Sequence, residues 1–327
     1  MDGQSSLGIV VIGRNEGQRL IDCLTSLGPH IVRTIYVDSG STDGSVAAAE
    51  GLGARTLRLD MSAGFTAARA RNAGFAALTS AVPEITMVQF VDGDCMVDED
   101  WLARAAQELD DHADLAVVCG RRRERFPEAT IYNWLCDREW DTPIGEADAC
   151  GGDALFRRSA FEAARGYRED LVAGEEPELC LRLRRQNWKI RRIDAEMTLH
   201  DAAITRFRQW WRRSVRAGHA YAEVSWRYRG SADAIWTTNT RRALLWSALL
   251  PAALLLALLV GPVALLLLLA YPAQIARLAL KGGWREARHW QAGLFSVLGK
   301  FAEAEGIARF HLRRLQNRRS QLIEYKS

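Results

Sequence analysis

Asp92, Gly93 and Asp94 follow directly on the apolar, β-prone run Ile85, Thr86, Met87, Val88, Gln89, Phe90, Val91. A strand that ends in two carboxylates with a glycine between them offers two oxygen donors at its C-terminal edge, where open α/β sheets collect ligands. Like charges this close resist joint ionisation unless a cation or hydrogen bonds offset the repulsion, so the pair suits a divalent ion bridging a diphosphate. The competing reading is a solvated acidic turn, since Asp98, Glu99 and Asp100 come next. Other polar groups follow apolar runs in the same way: Asn15 and Glu16 after residues 7–12, Asp38 and Asp43 after residues 34–37, and Arg71 and Asn72 in a helix one turn from Gly74. Gathered at one sheet edge, they would line a single crevice suited to a base, a ribose and a diphosphate. Taken singly, Asp38 and Asp43 read equally well as turn or capping residues, and Arg71 as a surface arginine.

The elements that would carry these groups alternate. Strands are predicted over 7–12, 34–37, 54–59, 85–91, 115–119 and 189–193, and helices over 17–27, 45–51, 67–78, 101–109, 156–165 and 178–186. This order implies a mostly parallel sheet flanked by helices, with its ligand crevice at the strand C-termini. Between residues 121 and 149 the pattern is too weak to assign, with Trp134 and Trp140 standing among charges. Further on, a Trp- and Arg-rich amphipathic helix is predicted over 207–229 and a basic one over 284–319.

The net charge of +3 on 327 residues gives no reason to expect nucleic acid as a partner. It conceals an uneven distribution: basic stretches at 206–242 and 309–326 flank the most apolar part of the chain, residues 244–271, which holds no charged side chain. As one helix these 28 residues would reach about 42 Å, more than the roughly 30 Å hydrocarbon core requires. Gly261 and Pro262 interrupt the run, so a hairpin dipping into a membrane competes with a single kinked span, and a buried soluble helix pair is the third possibility. Arginines on both sides favour a hairpin with both ends in the cytoplasm. Six cysteines without a Cys-x-x-Cys pair, in a chain with no evident cleavable leader, predict reduced thiols rather than disulfides or a zinc site.

The motifs Val11-Ile12-Gly13-Arg14-Asn15-Glu16, Val37-Asp38-Ser39-Gly40-Ser41-Thr42-Asp43-Gly44-Ser45, Ala70-Arg71-Asn72-Ala73-Gly74 and Asp92-Gly93-Asp94, in this order, resemble family 2 glycosyltransferases of the GT-A fold. The resemblance covers roughly residues 7–230. It implies donor binding by Asn15, Glu16, Asp38, Asp43, Arg71, Asn72 and Asp92, with Asp38 toward the base and Arg71 toward the base or phosphates. Mg²⁺ or Mn²⁺ would sit on Asp94, with His200 completing the metal site or touching phosphate. Gly151, Gly152 and Asp153 look like the family's acceptor-side glycine loop, where an asparagine is commoner than Asp153; an ordinary tight turn is the alternative. Glu175 and Glu176 match the catalytic segment, with Glu176 standing where the family usually has the aspartate base. Gln209-Trp210-Trp211-Arg212-Arg213 departs from the Gln-x-x-Arg-Trp order of processive relatives. Trp211 and Arg212 are then either acceptor-side groups or the headgroup-facing part of an interfacial helix.

The chain is thus expected to comprise a glycosyltransferase domain over 1–230 and a helical, membrane-associated region over 231–327. The expected activity is inverting transfer from a nucleotide-diphospho-sugar to a hydroxyl, with a polyprenyl-linked acceptor as the candidate, in cell-surface polysaccharide or glycoconjugate assembly. The expected place is the inner membrane, with the catalytic domain facing the cytoplasm. A sugar nucleotidyltransferase would begin with a Gly-x-Gly-Thr-Arg type loop where this chain has Gly13-Arg14-Asn15-Glu16. A non-catalytic nucleotide-sugar-binding scaffold would not need the carboxylates at 92, 94, 175 and 176.

Overall fold

The computed structural model describes residues 7–232 and 234–316; Arg318 and Arg319 of the basic tail lie outside the described residues. The chain divides into two compact units, one formed by residues up to 127, 136–171 and 175–203, the other by 128–135, 172–174 and 204 onward.

The first unit opens with β1 (Leu7–Gly13), α1 (Gln18–Ser26), β2 (Thr34–Asp38), α2 (Ser45–Gly51), β3 (Arg55–Arg58), α3 (Ala67–Ala81) and β4 (Met87–Asp92). The strands β3, β2, β1 and β4 lie side by side in parallel. β1, β2 and β4 are buried along nearly their whole length, as continuous apolar runs in a sheet covered on both faces must be. Helix α3 presses unusually close: a Cβ at Gly74 would run into the Val10 side chain, so only glycine allows the approach. That contact sets Arg71, one turn earlier on α3, near the sheet's C-terminal edge.

The rest of the unit contains β5 (Cys95–Val97), α4 (Trp101–Asp111), β6 (Leu115–Glu124), α5 (Ile131–Glu139, shared between the units), β7 (Gly145–Glu146), β8 (Ala154–Arg157), α6 (Arg158–Ala163), α7 (Glu175–Arg185) and β9 (Lys189–His200). The sheet runs β3-β2-β1-β4-β8-β6-β9-β5. Because β5 follows β4 after a single turn yet pairs at the far end of this order, the sheet curls. β8 is antiparallel to both β4 and β6, and β5 is antiparallel to β9. The starts of β8 and β5 therefore arrive at the same edge as the ends of β1, β2, β4, β6 and β9.

Three expectations are corrected. Residues 154–157 form a strand rather than the start of a helix, because Phe156 inserts between the sheet and α6, with its ring 5.5 Å from Phe90 and 5.6 Å from Phe161. β6 continues to Glu124 and β9 to His200, both beyond the apolar runs that announced them. Polar ends of this kind carry no alternation signal, yet here their backbones remain in the ladder.

The second unit contains α8 (Phe207–Arg227), α9 (Thr237–Val260), a 3₁₀ segment (Pro262–Leu269), α10 (Ala270–Gly282) and α11 (Ala287–Leu315). Helix α8 packs on α11 through Trp211, whose Nε1 donates to Glu305 at 2.8 Å, and through His219 against Phe310. The unbroken 244–271 helix is not formed: the chain reverses at Gly261, where φ is +111°. Tyr271 then donates its hydroxyl back to the Trp246 carbonyl at 2.8 Å. The two arms, Thr237–Val260 and Pro262–Gly282, are long and apolar enough to cross a membrane and are little buried within the protein. Leu258, 85% exposed, typifies their outer surface.

Candidate active site

β1 ends in a loop where Asn15, at φ +54°, donates its backbone N–H to Ser41 Oγ and accepts from Thr42 N at 2.7 Å. Asp43 accepts from Gly17 N at 2.9 Å and from both N and Oγ of Ser45, thereby tying the same two loops together. Burial works against its charge, but these donors hold its carboxyl below the usual range. Asp38, at the end of β2, is buried and accepts from Gly40 N, Ser41 N and Tyr36 Oη. Glu16 pairs with Arg19 at 2.7 Å. Four sequence-predicted residues thus frame one rim of the crevice, with their side chains engaged in shaping the loops. Asn72, by contrast, turns to Tyr167 and Glu169, bonding the Tyr167 backbone in both directions.

Arg71 is 2% exposed and forms a hub. Its Nη2 donates to Asp92 Oδ1 at 2.8 Å, and its Nη1 to Glu175 Oε1 at 3.1 Å and Glu176 Oε1 at 3.0 Å. One guanidinium therefore brings the carboxylate that ends β4 together with both carboxylates that open α7. Gly152 lies against the same cluster: a Cβ there would strike Arg71 Nη2 and come within 3.1 Å of Asp92 Oδ2 and 3.3 Å of Glu176 Oε1. This close approach is what requires a glycine. Gly151 beside it is exposed. Asp153 is fully buried, accepting from Asp92 N and Thr198 Oγ1, both at 2.9 Å, so it braces β4 against β9 beneath the crevice.

Asp94 and His200, both buried, face one another with Oδ2 and Nε2 3.4 Å apart. With Cys95 they form a group whose ligand atoms all lie within 4.8 Å of one another. A carboxylate and an imidazole suit a divalent first-row cation, and burial, followed by the nearby Arg122 charge, holds His200 below the usual imidazole range, in the neutral form that ligates. The donor set therefore fits a divalent cation such as Mn²⁺ or Mg²⁺, which Asp94 and His200 would hold and which would supply positive charge beside a diphosphate.

Residues 8–165 match the family model described as glycosyl transferase family 2. Over that stretch the chain is similar to this family. The transferase superposes on the mannosyltransferase PcManGT from Pyrobaculum calidifontis, solved in complex with GDP-Man and Mn²⁺, with a TM-score of 0.62 at 20% identity, covering 93% of this chain and 87% of that one. Two weaker likenesses are S. aureus TarS 1–349 (TM-score 0.47, 14% identity, 96% and 92% covered) and glucosyl-3-phosphoglycerate synthase from Mycobacterium tuberculosis, solved with Mn²⁺, UDP and glucosyl-3-phosphoglycerate (TM-score 0.46, 15% identity, 68% and 79% covered). No curated protein matches the sequence. The transferase has the GT-A architecture, and it acts as a glycosyltransferase.

Glu176 is pushed up to about 7 by burial first and the neighbouring Glu175 charge second, with Arg71 opposing both. Its side chain remains 16% exposed, against 4% for Glu175. Three residues not expected from the sequence lie against the same cluster. Arg122 lies 3.4 Å from Asp92 Oδ2 and 3.5 Å from Asp153 Oδ2, with its guanidinium over the Trp140 ring. Glu124 sits 3.5 Å from His200 Nδ1, and Trp140 packs edge-on against the same imidazole. All three come from the unassigned 121–149 stretch. The register shifts in β6 around Arg121 re-aim its polar end, and no periodicity announces that. Trp211 and Arg212 belong to α8 of the second unit, where Trp211 bonds Glu305.

Proposed function

We propose that this transferase is an inverting, divalent-metal-dependent enzyme that moves a sugar from a nucleoside diphosphate to a hydroxyl of a lipid-linked acceptor at the cytoplasmic face of the inner membrane. The observation that carries the reading is the Arg71 hub, which joins the Asp92-Gly93-Asp94 turn to the Glu175–Glu176 pair across the Gly152 loop. Asp38, Asp43 and Asn15 hold the nucleoside end, and Asp94 with His200 holds the metal. When bound, that ion neutralises charge on the departing diphosphate. Glu176, more exposed than Glu175 and tuned near neutrality, takes the proton from the acceptor hydroxyl. The acceptor oxygen forms its bond to the anomeric carbon as the bond to the diphosphate breaks on the opposite face, which inverts the configuration. Gly151 and Gly152 let the acceptor approach, and Asp153 supports them from below. Trp211 and Arg212 sit on a basic amphipathic helix suited to a headgroup layer.

The donor half is tested by thermal unfolding of the full chain with a panel of nucleotide sugars plus Mn²⁺, since only a ligand bound to the native state raises apparent stability. One donor is expected to stabilise the protein, and chelator is expected to abolish the effect. Stabilisation by every nucleotide sugar alike, or persistence in excess chelator, would contradict the metal-bridged site.

The membrane half rests on the reversal at Gly261 and the exposed leucines of both arms. Tags placed at the two chain ends should both report the cytoplasm in intact cells, the side favoured by Arg241, Arg242, Arg277 and Lys281. A C-terminal tag found only outside would refute the hairpin while leaving the enzyme assignment in place.

A further inference from the structure

Cys95 is completely buried, is in no disulfide, and stands opposite His200 in the β5–β9 ladder. Its Sγ lies 3.6 Å from Asp94 Oδ1 and 3.4 Å from Arg122 Nη2. The sulfur, an Asp94 oxygen and a His200 ring nitrogen thus share one corner, on residues at most 6% exposed. Metal bonds of about 2.0–2.3 Å to such donors put neighbouring ligand atoms roughly 3–3.7 Å apart, so small side-chain rotations would close this triad on an ion. Arg122, paired with Asp92 and Asp153, lies beside the sulfur and fixes this corner from the β6 side.

We propose that, on the reading in which Asp94 and His200 hold the donor's metal, Cys95 Sγ is a third protein ligand and gives the site a preference for sulfur-accepting ions such as Co²⁺ and Zn²⁺ over Mg²⁺. Hard Mg²⁺ gains little from sulfur and keeps its oxygen ligands, whereas a thiolate beside an imidazole and a carboxylate is a donor set for borderline ions. As the sulfur–metal bond forms, the thiol proton passes to solvent and no electron is transferred. The ion that the transferase selects from a mixture is therefore set by a residue outside the two-carboxylate motif.

The test is titration of the full-length protein with Co²⁺, read by absorption, and with Zn²⁺ and Mg²⁺, read by calorimetry. The wild type is expected to show a near-ultraviolet sulfur-to-cobalt charge-transfer band. Cys95→Ser should lose the band and bind Co²⁺ and Zn²⁺ at least ~10-fold more weakly, while its Mg²⁺ affinity moves less than about twofold. Cobalt binding without the band, or unchanged Co²⁺ and Zn²⁺ affinity in Cys95→Ser, overturns the sulfur ligand and leaves the Asp94–His200 reading standing. Asp94→Ala that keeps both band and affinity overturns that underlying reading instead. Should Cys95→Ser fold poorly, the ¹¹³Cd NMR shift of the cadmium-loaded wild type reads sulfur ligation with no substitution at all: a sulfur-type shift supports the ligand and an all-oxygen-and-nitrogen shift overturns it.

Discussion

Glu176→Gln is expected to lower kcat/KM by at least ~100-fold while leaving nucleotide-sugar affinity within about twofold, because glutamine keeps the size and hydrogen bonding of the side chain but cannot accept a proton. The wild-type profile supplies a second check. Burial and Glu175 push Glu176 up to about 7 in the free enzyme, the state that kcat/KM reports. Below that pH the base is protonated, so kcat/KM should fall about tenfold per unit as pH drops, and it should level off above. The residual activity of Glu176→Gln should lack this acidic limb. Glu175→Gln, which alters the neighbouring charge, should move the limb toward lower pH and retain most turnover at pH 8. If Glu175→Gln loses both turnover and limb while Glu176→Gln keeps them, the base is Glu175.

The residues legible from sequence were those whose position depends on chain order alone. Asp38 and Asp92 each end a strand of an unbroken parallel run and Asn15 lies in the loop just after another, so apolar periodicity followed by a polar group was enough to place them at one edge. Glu175 and Glu176 open a helix and were legible as an acidic pair before Pro177, which tolerates the first helical turn. What stayed hidden depends on pairings between segments far apart in sequence. Nothing local shows that β8 inserts antiparallel between β4 and β6, yet this is what turns Asp153 inward as a brace. Arg122 and Glu124 lie on the polar extension of β6, where pairing with β9 rather than composition sustains the strand. The helical hairpin was half legible: Gly261 and Pro262 marked the break, but only the Tyr271–Trp246 bond shows the chain folding back.

Arg71 illustrates the same division, since its motif was readable while its surroundings were not, and its replacement carries the second large effect. Arg71→Leu keeps much of the side chain's apolar bulk but leaves Asp92, Glu175 and Glu176 facing one another without the cation that bonds all three. Removing one partner from a buried ionic cluster costs about 3–5 kcal/mol, because the remaining charges are left uncompensated. The loss should appear as a lowered midpoint in denaturant unfolding at pH 7.5. Its pH dependence has a definite sign: without Arg71 the folded-state carboxyls titrate higher than in the unfolded chain, so the variant loses stability as pH rises through those values and regains it as pH falls. The gap between wild type and variant should therefore narrow from pH 7.5 to pH 5. Arg71→Lys, which keeps a charge but cannot reach three carboxylates with one planar group, should fall between the two in stability. A variant gap that widens on acidification, or Arg71→Leu as stable as the wild type at pH 7.5, would mean that the three carboxylates are held apart by something other than this guanidinium.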